Sequence, residues 1–494
     1  MKKFLHILLI ATLAFTLVFG GATSAFGASA AETNGIKVIY DGKYITFKDA
    51  APKIVEGRTM VPFRQILEDM GSDVSYDNAT RTVTAQKGGL SFFFKIGGTD
   101  ITVNDGVSTY VRKMDVVPFV DSRTNRTYVP ARFMAETLGY AVGWDNYDKT
   151  VIINDYGTLF ANADEDFSIL NYLVATDMDL EKTWRSVAEF EAAYTIAMGE
   201  DVMEFNIQGD VDSIQYKTDA DMVMDMSIDL GDTMSDMPEE EQTMAQTMTD
   251  MMKDMSYKIK MNGSDGIMYM NSNFFSTIDP TMTDNTWIKM DLFKMYDDMG
   301  LDMRGLMKMS EEATSIEKML TDYASVAPLT DADSFEAAKT TYEFMKNLIG
   351  DDAFKKQVSG SSATYTLNID SSSVALAIGK TALAGGASMS ADDISEVISA
   401  LDEADFDMDL VIKTRNDVLD TYTMEGGAEY EDGSFTLDIS GTTYDTDMSM
   451  NFDMGGMAAM DITMTVFVEE TSKAVDLTLP AGATIVDYES MMQY

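Results

Sequence analysis

The side chains available for chemistry in this chain are carboxylates and thioethers, because almost nothing else is present. Its 494 residues include no cysteine and one histidine, His6. Asp405, Asp407 and Asp409 have the D-x-D-x-D spacing of a calcium loop. An EF-hand would follow with glycine at its sixth position and glutamate at its twelfth. Leu410 and Asn416 stand there instead, so the aspartates read as the polar face of a strand. Met248-Thr249-Asp250-Met251-Met252 and the run 303–309 offer thioethers, which suit Cu(I). Methionine alternating with aspartate reads instead as a flexible core hydrophobe, or as the lining of a concave sheet that takes an apolar ligand. No catalytic, cofactor-binding or metal-ligating residue is assigned, and no cofactor is expected.

Other chemistries are closed by composition. With His6 in a segment expected to be removed, there is no Ser-His-Asp triad, no thiol nucleophile and no zinc site of His or Cys ligands. No Gly-rich phosphate loop occurs. Carboxylate-pair hydrolysis of wall glycans stays open, since 82 acidic residues offer many pairs and single out none.

The elements that would position these groups begin with a repeat. Arg58-Thr59-Met60-Val61-Pro62-Phe63-Arg64, Gly71, Tyr76-Asp77-Asn78 and Thr82-Val83 return as Arg126-Thr127-Tyr128-Val129-Pro130-Ala131-Arg132, Gly139, Trp144-Asp145-Asn146 and Thr150-Val151. Every match lies 68 residues on, and 12 of 28 aligned positions, 58–85 against 126–153, are identical. Phe63, Ile66, Leu67 and Met70 make one helical stripe, kept as Ala131, Met134, Ala135 and Leu138. Gly71 and Gly139 follow where a left-handed residue stops a helix. Asp-Asn then makes a turn. Tyr76 and Trp144 are expected to plug the core. Arg64 with Glu68 and Arg132 with Glu136 are expected to be structural i, i+4 pairs.

This order, opened by Asp41-Gly42-Lys43-Tyr44-Ile45-Thr46-Phe47 in one copy and Gly97-Gly98-Thr99-Asp100-Ile101-Thr102-Val103 in the other, resembles the copper amine oxidase N-terminal-like domain. That family is the stalk module of many secreted Gram-positive proteins. The resemblance covers about residues 36–154 and implies an accessory domain. Amine oxidase catalysis would need three copper-binding histidines and a quinone-forming tyrosine in Asn-Tyr-Asp/Glu. Asn146-Tyr147-Asp148 matches that tripeptide inside the repeat, but the histidines are missing.

Met1-Lys2-Lys3, the apolar run 4–19 and Ala28-Ser29-Ala30 read as a signal peptide over 1–30. The stalk domain is placed at 31–155, with repeats at 36–85 and 96–153, and an acidic, Met-rich domain at 156–494. Residues 31–155 hold 15 basic and 16 acidic side chains, against 19 and 66 afterwards. The later part carries 36 of the 41 methionines. Its charge repels nucleic acid and anionic wall polymers. Loose Ca²⁺ association is expected as screening.

In the acidic part, 221–230, 405–412, 434–440, 447–454 and 460–468 alternate with period two, as strands with one buried face do. Gly426-Gly427, Glu431-Asp432-Gly433 and Gly455-Gly456 are read as turns. Helices are expected at 184–198, from Asp331 or Asp333 to about 348, and from Ser390 and Asp393 to 401. Residues 239–255 are read as a helix or an insertion. The strand rhythm of Gly266-Ile267-Met268-Tyr269-Met270, Trp287-Ile288-Lys289-Met290-Asp291-Leu292 and Val475-Asp476-Leu477-Thr478-Leu479-Pro480 is similar to the LolA/LppX-like family. That similarity implies an open half-barrel that holds acyl chains.

The expected fold class is α+β: an α/β stalk module of two tandem strand-helix-strand-strand repeats, then a larger domain with a curved antiparallel sheet and packed helices. The expected function is that of an exported, non-enzymatic binding protein of the cell envelope. Its stalk would attach or orient it, and its sheet domain would bind an apolar or lipidic ligand or a surface partner. The alternatives are a carboxylate-dependent glycan hydrolase and a structural spacer. Location is expected to be extracellular, free or held noncovalently at the wall, with no transmembrane segment after cleavage.

Overall fold

The computed structural model describes residues 35–491, except 175–178, 180, 199–200, 231–245, 248, 251, 299–302, 305–314, 327–331, 384–394, 396–397, 400–401, 404 and 432. The signal-peptide segment, most of 239–255 and most of the helix expected from Ser390 to 401 lie outside the described residues. There are two compact units. One holds the described residues up to Asn162 together with Leu320–Glu343; the other holds Ala163–Met319 and Phe344–Tyr494.

The first unit opens with β1 (Lys37–Tyr40), β2 (Lys43–Tyr44), β3 (Lys53–Val55), β4 (Arg58–Pro62), α1 (Phe63–Asp69), β5 (Asp73–Asp77) and β6 (Thr82–Lys87). It continues with β7 (Leu90–Lys95), β8 (Asp100–Asn104), β9 (Thr109–Lys113), β10 (Phe119–Asp121), β11 (Arg126–Pro130), α2 (Ala131–Thr137), β12 (Ala141–Asp145) and β13 (Thr150–Asn154). Pro62 and Pro130 stand at φ −62° and −63°, each ending a strand and starting a helix in one step. Phe63, Ile66, Leu67 and Met70 are buried, as are Ala131, Met134 and Ala135. Gly71 at φ +78° and Gly139 at +83° stop both helices. The Asp-Asn turns form as expected: Asp77 accepts from the Ala79 amide and Asp145 from the Tyr147 amide.

The two copies interlock through three sheets, ordered β12-β13-β1-β2, β10-β11-β4-β3 and β5-β6-β7-β8-β9. β4 of one copy pairs antiparallel with β11 of the other. β1 pairs parallel with β13, which closes the start of the module onto its end. One core serves both copies, including Val61, Val129, Phe92, Phe94 and Ile101. The expected core plug holds only for Trp144, which packs against this core. Tyr76 is 39% exposed; it shares a face of β5 with Val74, which packs against the core, but sits nearer the strand's end.

The chain goes on through α3 (Tyr156–Leu159), α4 (Ala163–Asp166) and α5 (Ser168–Val174). Then follow β14 (Thr183–Met198), β15 (Asp201–Tyr216), β16 (Asp219–Asp229), β17 (Met255–Asn262) and β18 (Ile267–Ser272). After α6 (Phe275–Ile278), β19 (Thr286–Asp291) and α7 (Leu292–Asp298) come α8 (Ile316–Val326) and α9 (Ser334–Ile349). β20 (Lys355–Ser359), β21 (Ser362–Asp370), α10 (Ser371–Leu383), β22 (Asp407–Arg415), β23 (Val418–Tyr430), β24 (Gly433–Gly441), β25 (Asp445–Asp453), β26 (Ala458–Thr471), β27 (Thr484–Asp487) and α11 (Tyr488–Met491) complete it.

α9 is the helix expected up to about 348. Within the first unit, Phe335 stacks on Tyr156 at 6.2 Å and Tyr342 meets Phe160 at 5.4 Å. These rings account for that unit running past 155 and taking in 320–343.

The second unit is built on one sheet of 14 strands, ordered β20-β21-β22-β23-β24-β25-β26-β14-β15-β16-β17-β18-β19-β27. It is antiparallel except for its last pair, β19 with β27. Two expectations are corrected here. Residues 184–198 are not a helix; they form β14, paired along its length with β15 and β26. Its alanines and glutamates favour a helix locally, but two full ladders and an alternating face override that propensity. Gly426-Gly427 is not a turn; it lies inside β23. A side chain there would meet backbone, 2.8 Å from the Asp407 carbonyl oxygen at Gly426 and 2.5 Å from that of Phe435 at Gly427.

Candidate ligand-binding face

Opposed residues in an antiparallel ladder share a face. The register therefore sorts the large sheet into a polar side and an apolar side. One apolar row crosses ten strands: Leu367, Leu410, Met424, Ile439, Met448, Met464, Phe190, Gly209, Met226 and Met255. Beside it run Leu437, Met450, Ile462, Ala192, Ile207 and Ile228. A third row holds Phe435, Phe452, Met460, Tyr194 and Phe205, with the last two rings stacked at 4.7 Å.

Burial along the first row is uneven. Leu367, Leu410 and Ile439 are buried at one end and Met255 at the other. Met448, Met464, Phe190 and Met226 in the middle are only half-buried. Helices explain the ends. α10 packs on β21 and α5 on β23, and Tyr172 of α5 also meets Tyr365 of β21 at 5.9 Å. At the far end α6 and α7 pack on β18, and Ile288, Met290 and Leu292 form a cluster with Met261, Met268, Met270 and Tyr488 against it. Between them the apolar face of β25, β26, β14, β15 and β16 is a strip of thioether, aliphatic and aromatic side chains that solvent reaches. Methionine suits such a strip because its unbranched, polarisable chain adapts to varied shapes.

Gly209 is fixed by this face. A Cβ there would lie 2.7 Å from the Phe190 ring and 2.6 Å from the Asp225 carbonyl oxygen. The missing side chain lets Phe190 lie flat across β15.

The polar side carries the charge. Asp409, Glu425 and Asp438 oppose one another on adjacent strands, as do Glu189, Asp210 and Asp225. Arg185 offsets part of this: Nε and Nη2 each donate to Asp212 at 2.9 Å, and Nη1 to Glu469 at 3.2 Å. Those bonds hold the Asp212 carboxyl below its ordinary range. An open cleft of about 820 Å³ is lined by Glu189, Glu191, Asp210, Asp225 and Lys253, and also by Phe190, Met226, Met255 and Met464 of the apolar row. All four carboxylates are exposed, whereas a glycosidase acid depends on a desolvated carboxyl.

The sequence candidates fall as follows. Asp407 and Asp409 lie on β22 with both side chains on the polar face, and Asn368 donates to Asp409. Among the described residues no group of three or more His, Cys, Asp or Glu side chains could hold a metal ion. Met248, Met251 and residues 305–309 lie outside the described residues. Tyr147 is 95% exposed at the β12–β13 turn. Arg64 pairs with Glu68 at 3.5 Å as expected; Glu136 instead meets Arg112 at 3.8 Å.

The first unit holds a half-buried polar cluster that sequence reading missed. Lys87 donates to the Tyr140 hydroxyl and to Asp155 at 3.1 Å. The Asp155 amide donates to Asp41 at 2.8 Å, and the Asp155 side chain caps α3 through the Thr158 amide at 3.0 Å. Burial raises the Asp41 and Tyr40 pKa values. The partners are 114 residues apart in sequence at their widest, so no local spacing signals the cluster. It pins the end of the repeat to its beginning.

Comparison with known families bears on the repeat module of the first unit. Residues 39–153 match the copper amine oxidase N-terminal domain. This copper amine oxidase N-terminal module contains both repeat copies. The match ends before α3 and leaves the acidic sheet unit uncovered. No curated protein matches the chain. Among solved structures, a mutant porin of Rh. blastica aligns over 58% of this chain and 99% of its own, at 9% identity and a TM-score of 0.12; a superposition that poor carries no fold argument. Among the described residues no helix is long and apolar enough to cross a membrane.

Proposed function

We propose that this is an exported, non-enzymatic binding protein of the cell envelope, whose amine oxidase N-terminal-like module attaches or orients it while the large sheet holds an apolar or lipidic ligand. The observation that carries the reading is the apolar row through Met448, Met464, Phe190 and Met226, helix-covered at both ends and half-open between. A closed core would bury that row throughout. An apolar strip of this kind, rimmed by polar residues, is what an acyl chain or similar ligand needs. The strand rhythm that resembles LolA/LppX-like proteins is in keeping with this reading. Export rests on the reading of residues 1–30 as a signal peptide.

The test is ligand capture. The purified mature chain is incubated with a membrane extract, recovered, and its bound material identified by mass spectrometry. Acyl-chain lipids recovered in stoichiometric amount support the reading. An empty protein, together with no enhancement of a fluorescent fatty acid added in solution, overturns it.

A further inference from the structure

The two ends of the long strands differ in chemistry. At one end, the hairpin turns carry ion pairs: Lys182 with Glu470 at 2.7 Å, Lys217 with Glu181 at 2.9 Å and Arg415 with Asp420 at 3.1 Å. At the other end, three neighbouring hairpins, β23–β24, β25–β26 and β14–β15, finish in exposed apolar side chains. Tyr430 is 59% exposed, Met454 41%, Met457 60%, Ile196 36% and Val202 51%. The hairpins adjoin directly, since the Ala197 amide donates to the Met457 carbonyl at 2.8 Å. Gly455 and Gly456, at φ +58° and +81°, turn the β25–β26 tip and leave both methionines projecting.

Ile196 and Tyr430 carry the face of the strip described above onto this end, while Val202, opposite Ala197, lies on the other face with Glu204. Along β14 the same face runs Ala192, Tyr194, Ile196, and exposure rises from buried through half-buried to exposed. In a chain of net charge −46, this group of Met, Ile and Tyr differs from the opposite end, where exposed Val418, Tyr444 and Phe467 sit among ion pairs. Tyrosine with an apolar ring and a wet hydroxyl suits the headgroup level of a bilayer, and Met and Ile suit the layer below.

We propose that this end of the sheet is the surface with which the protein touches a lipid bilayer, so that an acyl chain passes between membrane and apolar strip without crossing water. The proposal rests on the apolar-ligand reading of the sheet. Charge chooses the kind of bilayer. Glu204, Glu429 and Asp453 stand exposed on the strands behind the apolar tips, so the contact favours zwitterionic over anionic headgroups. A few apolar side chains by themselves make a weak, reversible contact, which suits collection and delivery.

The experiment is flotation of the full mature chain with phosphatidylcholine vesicles, repeated with vesicles containing phosphatidylglycerol. The variant Tyr430→Asp/Met457→Asp places two charges at the apolar end; Val418→Asp places one at the ion-paired end, where Val418 is 50% exposed. All sites are on the surface, and melting temperatures verify folding. A fluorescent fatty acid delivered from solution reads the apolar strip separately. The expected result is flotation with phosphatidylcholine, less with phosphatidylglycerol, a drop of about fivefold or more in the double variant and none in Val418→Asp, with fatty-acid binding unchanged in all. Equal flotation of wild type and double variant, or none at all, overturns the proposal while leaving the strip's reading to the fatty-acid result. A wild-type dimer in solution that the double variant dissolves overturns it in favour of a second copy as the occupant.

Discussion

Val61 and Val129 are the same position of the repeat, and they face each other across the β4–β11 ladder. The pairing is reciprocal around them: Met60 opposes Pro130 and Pro62 opposes Tyr128. A pseudo-twofold axis therefore passes through this pair. The flanking ion pairs obey it too, since Arg58 of the first copy meets Asp115 and Arg126 of the second meets Asp49. Both valines are fully buried. Truncating either to alanine is expected to cost about 2 kcal/mol. Because they touch, the double variant is expected to cost less than the sum. Hydrogen exchange of the full chain, read at the β4 and β11 amides, measures all three.

Helix stops are the next prediction. Gly71 and Gly139 stand at positive φ with no atom within 4 Å of where a Cβ would sit, so alanine there meets only backbone strain. Each substitution is expected to cost about 1 kcal/mol. Gly379 in α10 has the same free space without the positive φ, so Gly379→Ala is expected to stabilise by about 0.5–1 kcal/mol. Urea titration of the three variants checks the opposite signs.

Asp41 gives a pH dependence. Burial raises its pKa, and the Asp155 amide that donates to it only partly offsets this. The folded carboxyl thus holds its proton more tightly than the unfolded one. Between the ordinary aspartate pKa, near 3.9, and the raised value, the folded state carries more protons, so stability falls as pH rises through that window. Asp41→Asn keeps the acceptor oxygen and removes the titration. Its stability relative to wild type is expected to increase across the window and to level off above it, measured by urea midpoints at successive pH values. A constant difference from acid to neutral pH would show that the carboxyl does not titrate there.

How much of this was legible in sequence follows from range. Gly71, the Pro62 strand-to-helix step and the Asp77 turn are set by neighbours within a few residues, and they read correctly. The apolar and polar faces of β22, β24, β25 and β26 also read correctly, because alternation is a local property. β14 did not: its alanines and glutamates mimic a helix, and only the ladders with β15, up to 31 residues away (Trp184 to Gln215), and β26, up to 288 away (Thr183 to Thr471), decide it. The half-open state of Met464 was beyond reach for the same reason, since alternation says which face is apolar but not what covers it.

Opposed carboxylates on the polar face predict a salt effect. Glu425 lies between Asp409 and Asp438 on adjacent strands, and like charges directly opposite destabilise a sheet. Glu425→Gln is expected to stabilise the sheet unit by about 0.5 kcal/mol at low salt. The gain should shrink as salt rises, over ionic strengths at which the Debye length falls to about 8 Å. Added Ca²⁺ is expected to act as screening does, raising wild-type stability more than that of the variant. Thermal melts at two ionic strengths, with and without Ca²⁺, read both effects.

Met464 and Thr465 test which side of the sheet binds. They are consecutive on β26, so their side chains project to opposite faces. Met464 lies opposite Phe190 on one neighbour and Met448 on the other, in the middle of the apolar strip. Thr465 lies opposite Glu189 and Asp447, and its hydroxyl donates to Asp447 at 3.0 Å. Lysine at 464 places a charge where an acyl chain would lie; lysine at 465 places the same charge among carboxylates that welcome it. Met464→Lys is expected to weaken binding of a fluorescent fatty acid by tenfold or more, equivalent to about 1.4 kcal/mol. Thr465→Lys is expected to leave it within about twofold and to raise the melting temperature slightly. Equal loss in both variants would mean that general instability, not the apolar strip, governs binding. Loss in Thr465→Lys alone would move the site to the carboxylate face.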